Sequence, residues 1–360
     1  MTEEERYQSQ QRYYKILILM VGIICVMLSG FVLIQIKTII MPLILALIFT
    51  IVLSPILSWF EKKHVPNVIS YILVVFVTFL LLFVIGHVIN RNIQSFLTNI
   101  GQYEGRMRSI FDSVVAFFGI DPNSIGRSGT ALSQNPQIAA IFENISIRNI
   151  VAGILGSIST ILSNTVLVLL FLVFLLIGRN GLIHKLDIAF TAAFSARMQE
   201  IIKKINQQIN KYVITKSLIS LLTGTLVAIT LGLFGVEFAF IWGLLTFLLN
   251  FIPNIGSIIA TIFPITFALV QFENPIIVIW IAVLLLAIQF LIGNVLEPRI
   301  VGKSMGISPV VVLFALIFWG YVWGIIGMVL AVPFAVIIKI ILENIPELRS
   351  LSVLMSDQKA

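Results

Sequence analysis

The chain has 360 residues, of which 59% are hydrophobic and 11% are charged, whereas soluble domains carry about 25% charged residues. Its mean hydropathy of +1.08 excludes an ordinary soluble fold and predicts an all-α polytopic membrane protein. The net charge of +7 is typical of basic cytoplasmic loops in such a protein, so no nucleic-acid partner is expected. The single cysteine, Cys25, excludes an intrachain disulfide.

Six apolar segments, with at most one charged residue each, are long enough to cross the roughly 30 Å hydrocarbon core as helices. They are residues 16–34, 39–57, 68–89, 151–177, 215–233 and 275–293. The first segment is too long for a signal peptide and has no small-residue cleavage site. It is therefore predicted to be a retained transmembrane helix.

Two further apolar regions, 238–271 and 309–342, are interrupted by glycine, proline or polar residues. The pieces are 238–252 and 255–271 in the first region and 309–322 and 324–342 in the second. A 15-residue helix covers only about 22 Å, less than the membrane core. We therefore expect two helical hairpins that each enter and leave the membrane on one side, and two pairs of full spans are the alternative.

The basic residues predict the orientation. If the N-terminus is cytoplasmic, the inner segments hold 17 of the 23 Lys and Arg residues and the outer segments hold six, including Lys37 in the first outer loop. The inner segments are 1–15, 58–67, 178–216, 294–306 and the C-terminal end. This positive-inside pattern predicts that both termini are cytoplasmic.

Two segments are expected outside the membrane. Residues 90–150 are rich in Ser, Asn, Gly and Gln, which predicts an extracytoplasmic insert of short helices with a loop at Pro122. Residues 185–214 place apolar side chains three or four positions apart, which predicts a cytoplasmic amphipathic helix on the membrane surface or beneath the bundle. A regulatory or partner-binding role is the alternative. These apolar positions are Phe190, Phe194, Met198, Ile201, Ile205, Ile209 and Tyr212.

An inverted repeat is predicted in residues 215–345, which we interpret as a transport core. The span 215–233 and its broken region run opposite to the span 275–293 and its broken region. Both broken regions contain Trp-Gly, then Gly, then Pro. Inverted repeats with interrupted helices are a transporter design. The predicted organisation is 1–89 transmembrane helices, 90–150 insert, 151–214 span and amphipathic helix, 215–345 core and 346–360 tail.

No enzymatic, cofactor or metal site is expected. The "GKS" at 302–304 lacks the earlier glycine of a phosphate loop, because position 297 is Glu297. The three histidines lack metal-ligand spacing. The six full spans contain no Asp or Glu, which disfavours proton or cation coupling.

The deep polar groups favour a solute path in the C-terminal half. The stretch "LLNFIPNIGSII" frees backbone groups and supplies amide side chains that could surround a hydroxylated solute. Its candidate residues are Asn250, Pro253, Asn254, Gly256 and Ser257. We expect Asn254 and Gly256 to be buried. The alternative is that the asparagines only cap helix ends at a proline break.

A second polar concentration occupies residues 289–309. Gln289 and Asn294 either face the solute path or hydrogen-bond between helices as packing groups. Glu297 and Arg299 form either a fixed interfacial ion pair or a gating pair. Lys216, at the start of its span, is expected to extend toward the cytoplasmic surface.

Three stretches of the C-terminal half, "WGLLTFLLNFIPNIGSIIATIFPI", "GNVLEPRIVGKSMGISPVVVLFALIFWG" and "GIIGMVLAVPFAVIIKIILE", strongly resemble the bacterial autoinducer-2 exporter family. The resemblance extends over nearly the whole chain by layout. It implies an inner-membrane permease that exports autoinducer-2, a small polar furanone. It also implies homo-oligomers, pentamers among them, and some relatives are linked to sodium/proton antiport.

The resulting hypothesis is an alternating-access carrier whose small-molecule solute passes between the broken helices. Its rivals are a sodium (lithium)/proton antiporter, a non-transporting membrane scaffold whose insert binds a partner, and a channel.

Overall fold

The computed structural model of the chain describes residues 27–117, 165–178, 187–301 and 306–357, with isolated positions in 17–24 and 181–185. Regular structure in these residues is helical, apart from one isolated bridge between Ile307 and Ser356. The helices are α1 Met20–Gln35, α2 Lys37–Lys62, α3 Asn67–Phe117, α4 Thr165–Gly178, α5 Ala192–Leu233, α6 Ala239–Leu249, α7 Ile255–Gln271, α8 Pro275–Phe290, a π-helix Leu291–Leu296, α9 Glu297–Val301, α10 Pro309–Glu343, a 3-10 turn Pro346–Leu348 and α11 Arg349–Leu354.

Five of the described helical stretches are long and apolar enough to cross a membrane. They are Lys37–Lys62, Asn67–Asn92, Ala192–Leu233, Pro275–Ile300 and Pro309–Glu343. The first four contain predicted spans. Large apolar side chains such as Phe76 and Phe314 lie exposed on the helix surfaces, where a soluble fold would bury them. The predicted all-α, multi-pass membrane class is confirmed.

The first two helices meet without a loop. Only Ile36 separates α1 from α2, and its amide still donates to the Val32 carbonyl at 3.0 Å. Lys37, which we predicted in an outer loop, is the first residue of α2. The predicted span 151–177 is described only from Thr165 onward.

Two helices continue past their predicted ends. Helix α3 has 51 residues, about 76 Å, so the predicted insert of short helices begins instead as one continuous helix to Phe117. The loop at Pro122 and the rest of the insert lie outside the described residues. The predicted amphipathic helix and the span 215–233 are a single 42-residue helix, α5.

The amphipathic part of α5 packs against α10. Its Ile201 is buried in one cluster with Val336 and Ile340 of α10. Arg197 donates a hydrogen bond to the carbonyl of Asn344, directly after α10. The predicted apolar positions nearest its start, including Phe194, remain exposed.

The first broken region consists of two short helices that pack on each other. Helix α6 has 11 residues and α7 has 17, about 16 and 26 Å. Residues 250–254 join them, and the backbone at Gly256 lies directly against the Leu249 carbonyl, where a Cβ atom has no room. The chain therefore reverses tightly at this bend.

The second broken region also reverses, within α10. Gly324 has φ 65° and ψ −143°, which is not helical. The rings of Trp319 and Phe334 are 4.2 Å apart, whereas 15 residues of straight helix would separate them by about 22 Å. The two halves of α10 therefore lie side by side.

The two bends contact each other. Ile252 of the first bend is buried in one cluster with Leu316 and Ala331 of α10, and Leu249 and Met328 pack against it. This contact brings the two interrupted regions together next to the polar residues of α5.

Candidate functional site

A line of polar side chains runs along the buried face of α5. Lys216, Ser220 and Thr223 are each at most 3% exposed. Their spacing of four and three residues places them on one face of the helix. An ionisable group such as Lys216, buried within a membrane helix, is costly and commonly marks a solute or ion path.

Lys216 pairs with Glu297. Its Nζ atom donates to Oε1 of the carboxylate. The Lys216 side chain is 4% exposed and that of Glu297 is 27% exposed. A buried charge needs such a partner, because removing it from water is expensive. The expectation that Lys216 extends to the surface was therefore wrong.

The structure does not pair Glu297 with Arg299, whose side chain is exposed. Residues two apart on a helix point in different directions, so a contact between these two within α9 is disfavoured. The partner instead lies 81 residues earlier in the chain. The available sequence signal was Lys216 itself, a charge inside a predicted span.

Asn250 continues the polar line at the end of α6. Its Nδ2 donates to Oγ of Ser220 at 3.0 Å, and both residues are buried. Ser220 lies one helical turn after Lys216 on α5. The ion pair and this amide–hydroxyl contact thus occupy neighbouring turns of one helix face.

Asn254 forms a strained turn at the first bend. It has φ 60° and ψ −55°, and the Ile255 amide donates to the Pro253 carbonyl at 2.6 Å. This is a γ-turn of the rare, strained type. The Asn254 side chain is exposed, against our expectation, whereas Gly256 is buried as expected. Ser257 donates to the Asn254 carbonyl at 2.9 Å.

A π-helix leads directly into Glu297. It covers Leu291–Leu296 and contains Asn294, whose side chain is exposed. Gln289 lies just before it, and its buried Nε2 has no hydrogen-bond partner among the described residues. Single π-turns often occur at functional sites, because the extra residue loosens the helix and redirects its side chains.

Small residues bring α5 and α6 to backbone contact beside the polar line. A Cβ atom on Gly224 would lie 2.5 Å from the Gly243 carbonyl oxygen, and one on Gly243 would lie 2.6 Å from Cβ of Ala228. Such close crossings are typical of helix pairs in membranes. In the sequence, Gly243 is distinguished only as part of a Trp-Gly pair, because its contact with α5 cannot be inferred from the sequence.

The arrangement suits binding better than catalysis. The amide of Asn250, the hydroxyl of Ser220 and the Lys216–Glu297 pair supply both hydrogen-bond donors and acceptors. Within the part of the chain that the structure describes, no group of three His, Cys, Asp or Glu residues could hold a metal ion. Such a set of groups matches the hydrogen-bonding capacity of a polar solute.

Comparison with known proteins assigns the family. A model described as the AI-2E family transporter matches residues 16–347. The AI-2 transport protein TqsA of Escherichia coli is 30% identical over 348 residues, 95% of each chain. A provisionally named transport protein of Borreliella burgdorferi is 32% identical over 315 residues, 87% of this chain and 83% of that one. One of Haemophilus influenzae is 31% identical over 324 residues, 89% of this chain and 90% of that one.

The match covers more than nine tenths of the chain, and these relatives are named for transport rather than for an enzymatic activity. The family resemblance of the three C-terminal stretches is thereby confirmed. The chain belongs to the AI-2E transporter family.

Proposed function

We propose that the protein carries a small polar signal molecule, with autoinducer-2 as the first candidate, out of a bacterial cell. The name of the E. coli relative supports this solute class. The observation that carries the proposal is the buried polar line of α5, which meets the first bend through the Ser220–Asn250 contact. A neutral, hydroxylated solute matches these donors and acceptors.

The proposed path follows that line. Asn250 and Ser220 bind the solute when their mutual hydrogen bond opens, and the strained turn at Asn254 supplies backbone groups. The remaining proposed members are Pro253, Gly256, Ser257, Gln289 and Asn294. The unpartnered Nε2 of Gln289 supports its place here.

The proposed cytoplasmic gate is the Lys216–Glu297 pair. It lies one turn from Ser220, at the end of the line that the positive-inside pattern assigns to the cytoplasm. The π-helix before Glu297 allows the carboxylate to swing away without breaking the whole span. Arg299, exposed at the same end, is proposed to take part in gating through its charge, without a direct contact to Glu297.

Alternating access is proposed to arise from the two broken regions. They act as membrane hairpins of an inverted repeat, α5–α7 and α8–α10, which meet around Ile252 and move relative to the N-terminal spans. Short helices, tight reversals at both bends and buried glycines support this movement. The protein is proposed to lie in the inner membrane with both termini cytoplasmic, and to form homo-oligomers such as pentamers.

Purified protein in liposomes tests the proposal. Efflux of trapped autoinducer-2 should fall to the background of protein-free liposomes in Asn250→Leu and Asn254→Leu, while Thr98→Val, far from the line, should retain it. Folded variants of Asn250 and Asn254 with unchanged efflux would refute the assignment of the path. Absence of any flux from the unsubstituted protein would favour a scaffold, and single-channel currents would favour a channel.

A sodium (lithium)/proton antiporter is the second candidate, because Glu297 lies beside a buried ammonium group inside the bundle. Sodium-dependent pH changes in everted vesicles, lost in Glu297→Gln, would support it. Efflux of autoinducer-2 without an ion gradient would contradict it.

A further inference from the structure

The outer half of α3 touches both loops that flank the first broken region. Helix α3 runs as one rod from Asn67 to Phe117. Tyr103 and Arg106 lie three residues apart on it and therefore share one face. Tyr103 contacts Glu237, in the loop before α6, and Arg106 contacts Glu273, in the loop after α7.

The Tyr103 contact is the sheltered one. Its hydroxyl donates to Oε2 of Glu237, and the residue is 7% exposed. Its ring lies 5.4 Å from that of Phe267 on α7. A hydrogen bond to a charged acceptor at a buried position is among the stronger single contacts in proteins.

The Arg106 contact is weaker. Its Nη1 lies 3.2 Å from Oε1 of Glu273, whose side chain is 87% exposed. Water and salt screen such a pair, so it guides the geometry more than it holds the helices together.

The loop before α6 is also bound to the last residue of α7. The Glu237 amide donates to Oε1 of Gln271 at 2.9 Å, and Nε2 of Gln271 donates to the Gly235 carbonyl at 2.8 Å. Glu237 is thereby fixed where Tyr103 meets it. The start of α6 and the end of α7 are thereby linked into one unit, called the braced end, which contacts α3.

We propose that Tyr103, with Arg106, is an outer latch that holds the α6–α7 unit closed and must release before the unit moves. The proposal rests on the proposed transport cycle, in which this unit rocks. Helix α3 stays in place while the α6–α7 unit moves relative to it. Tyr103 is a positioning residue that acts through Glu237 and does not bind the solute.

Thiol labelling in nanodiscs tests the latch without any solute. Ala268 is fully buried in the cluster beneath the braced end, with Val236 and Leu231. In a Cys25→Ser, Ala268→Cys protein, Tyr103→Phe should raise the rate of maleimide modification about tenfold, the effect of losing one hydrogen bond to a charged group. Thr98→Val is the matched control, because this exposed hydroxyl on α3 donates to the Gln94 carbonyl of its own helix. Equal rates in Tyr103→Phe and Thr98→Val would overturn the proposal.

A double variant shows whether the bond itself is responsible. Tyr103→Phe combined with Glu237→Ala should label no faster than the faster single variant, because both changes remove one contact. Additive acceleration would overturn the latch.

Autoinducer-2 efflux of the same proteins separates the two proposals. Faster labelling without efflux from any of these proteins leaves the latch standing and refutes transport of autoinducer-2, whereas efflux with unchanged labelling refutes the latch alone.

Discussion

Removing either partner of the Lys216–Glu297 pair should destabilise the protein, and removing Glu297 should cost more than removing Lys216. In Glu297→Gln, the ammonium group stays in a position that is 4% exposed and loses its charged partner. The buried ammonium group then has no charged partner, so the free energy of unfolding should fall by about 3 kcal/mol. In Lys216→Met, the remaining carboxylate is 27% exposed and can recover water, so the loss should be about 1–2 kcal/mol.

The double variant Lys216→Met, Glu297→Gln leaves no charge at either position of the pair. It should lie within about 1 kcal/mol of the unsubstituted protein, because replacing a whole buried pair is far less costly than breaking it. Reversible unfolding in detergent measures all three variants. A matched control is Glu200→Gln, which removes the exposed pair with Lys204 on the same helix and should cost less than about 0.5 kcal/mol. Equal losses in both single variants, or additive losses in the double variant, would refute the reasoning.

Three further predictions concern packing and backbone geometry. Gly243→Ala should lower the free energy of unfolding by about 1–3 kcal/mol, because the added Cβ atom would lie 2.6 Å from atoms of α5. Gly232→Ala should have no such effect, because no neighbour lies closer than 4.0 Å to the added atom. Thermal unfolding compares the two variants. Gly324→Ala should cost about 1–3 kcal/mol through its φ of 65° alone, since space is free there, and equal melting temperatures would contradict this. Asn250→Leu should reduce stability more than Ser220→Ala. The larger apolar side chain must fit a buried site, and it leaves the Ser220 hydroxyl without its hydrogen-bond partner on α6. The same unfolding assay ranks the two variants.

The membrane class and most helices follow from the sequence, because apolar runs of fixed length have few alternatives in a bilayer. The bends were also predictable. Gly324 and the Pro253–Asn254 pair are residues that suit a reversal and disfavour a continuous helix.

The helix ends were harder to predict. Polar residues after a span indicate where the membrane stops, but they do not stop a helix. The residues that α3 adds after the span 68–89, and those that α5 adds before the span 215–233, include no proline, the residue that most strongly interrupts a helix, so both helices continue past the predicted span ends.

The contacts of the candidate site could not be predicted from the sequence. Lys216 and Glu297 are 81 residues apart, and Asn250 and Ser220 are 30 apart. Periodicity predicts which face of a helix is buried, but it does not identify the partner helix. The helix geometry that disfavours a Glu297–Arg299 pair was available in advance, and it would have directed attention to Lys216.

The proposed gate and the proposed latch lie on opposite sides of the first broken region, which suggests how transport and leakage are separated. The gate is the Lys216–Glu297 contact at one end of the polar line, and the latch is the Tyr103–Glu237 contact at the other end of the α6–α7 unit. If one opens only while the other is shut, weakening both should permit a state open at both ends. Tyr103→Phe combined with Lys216→Met should then leak autoinducer-2 from liposomes faster than the product of the two single effects, because the variants act on one coupled equilibrium. A leak equal to that product would show that the closures are independent, and would refute alternating access through this unit.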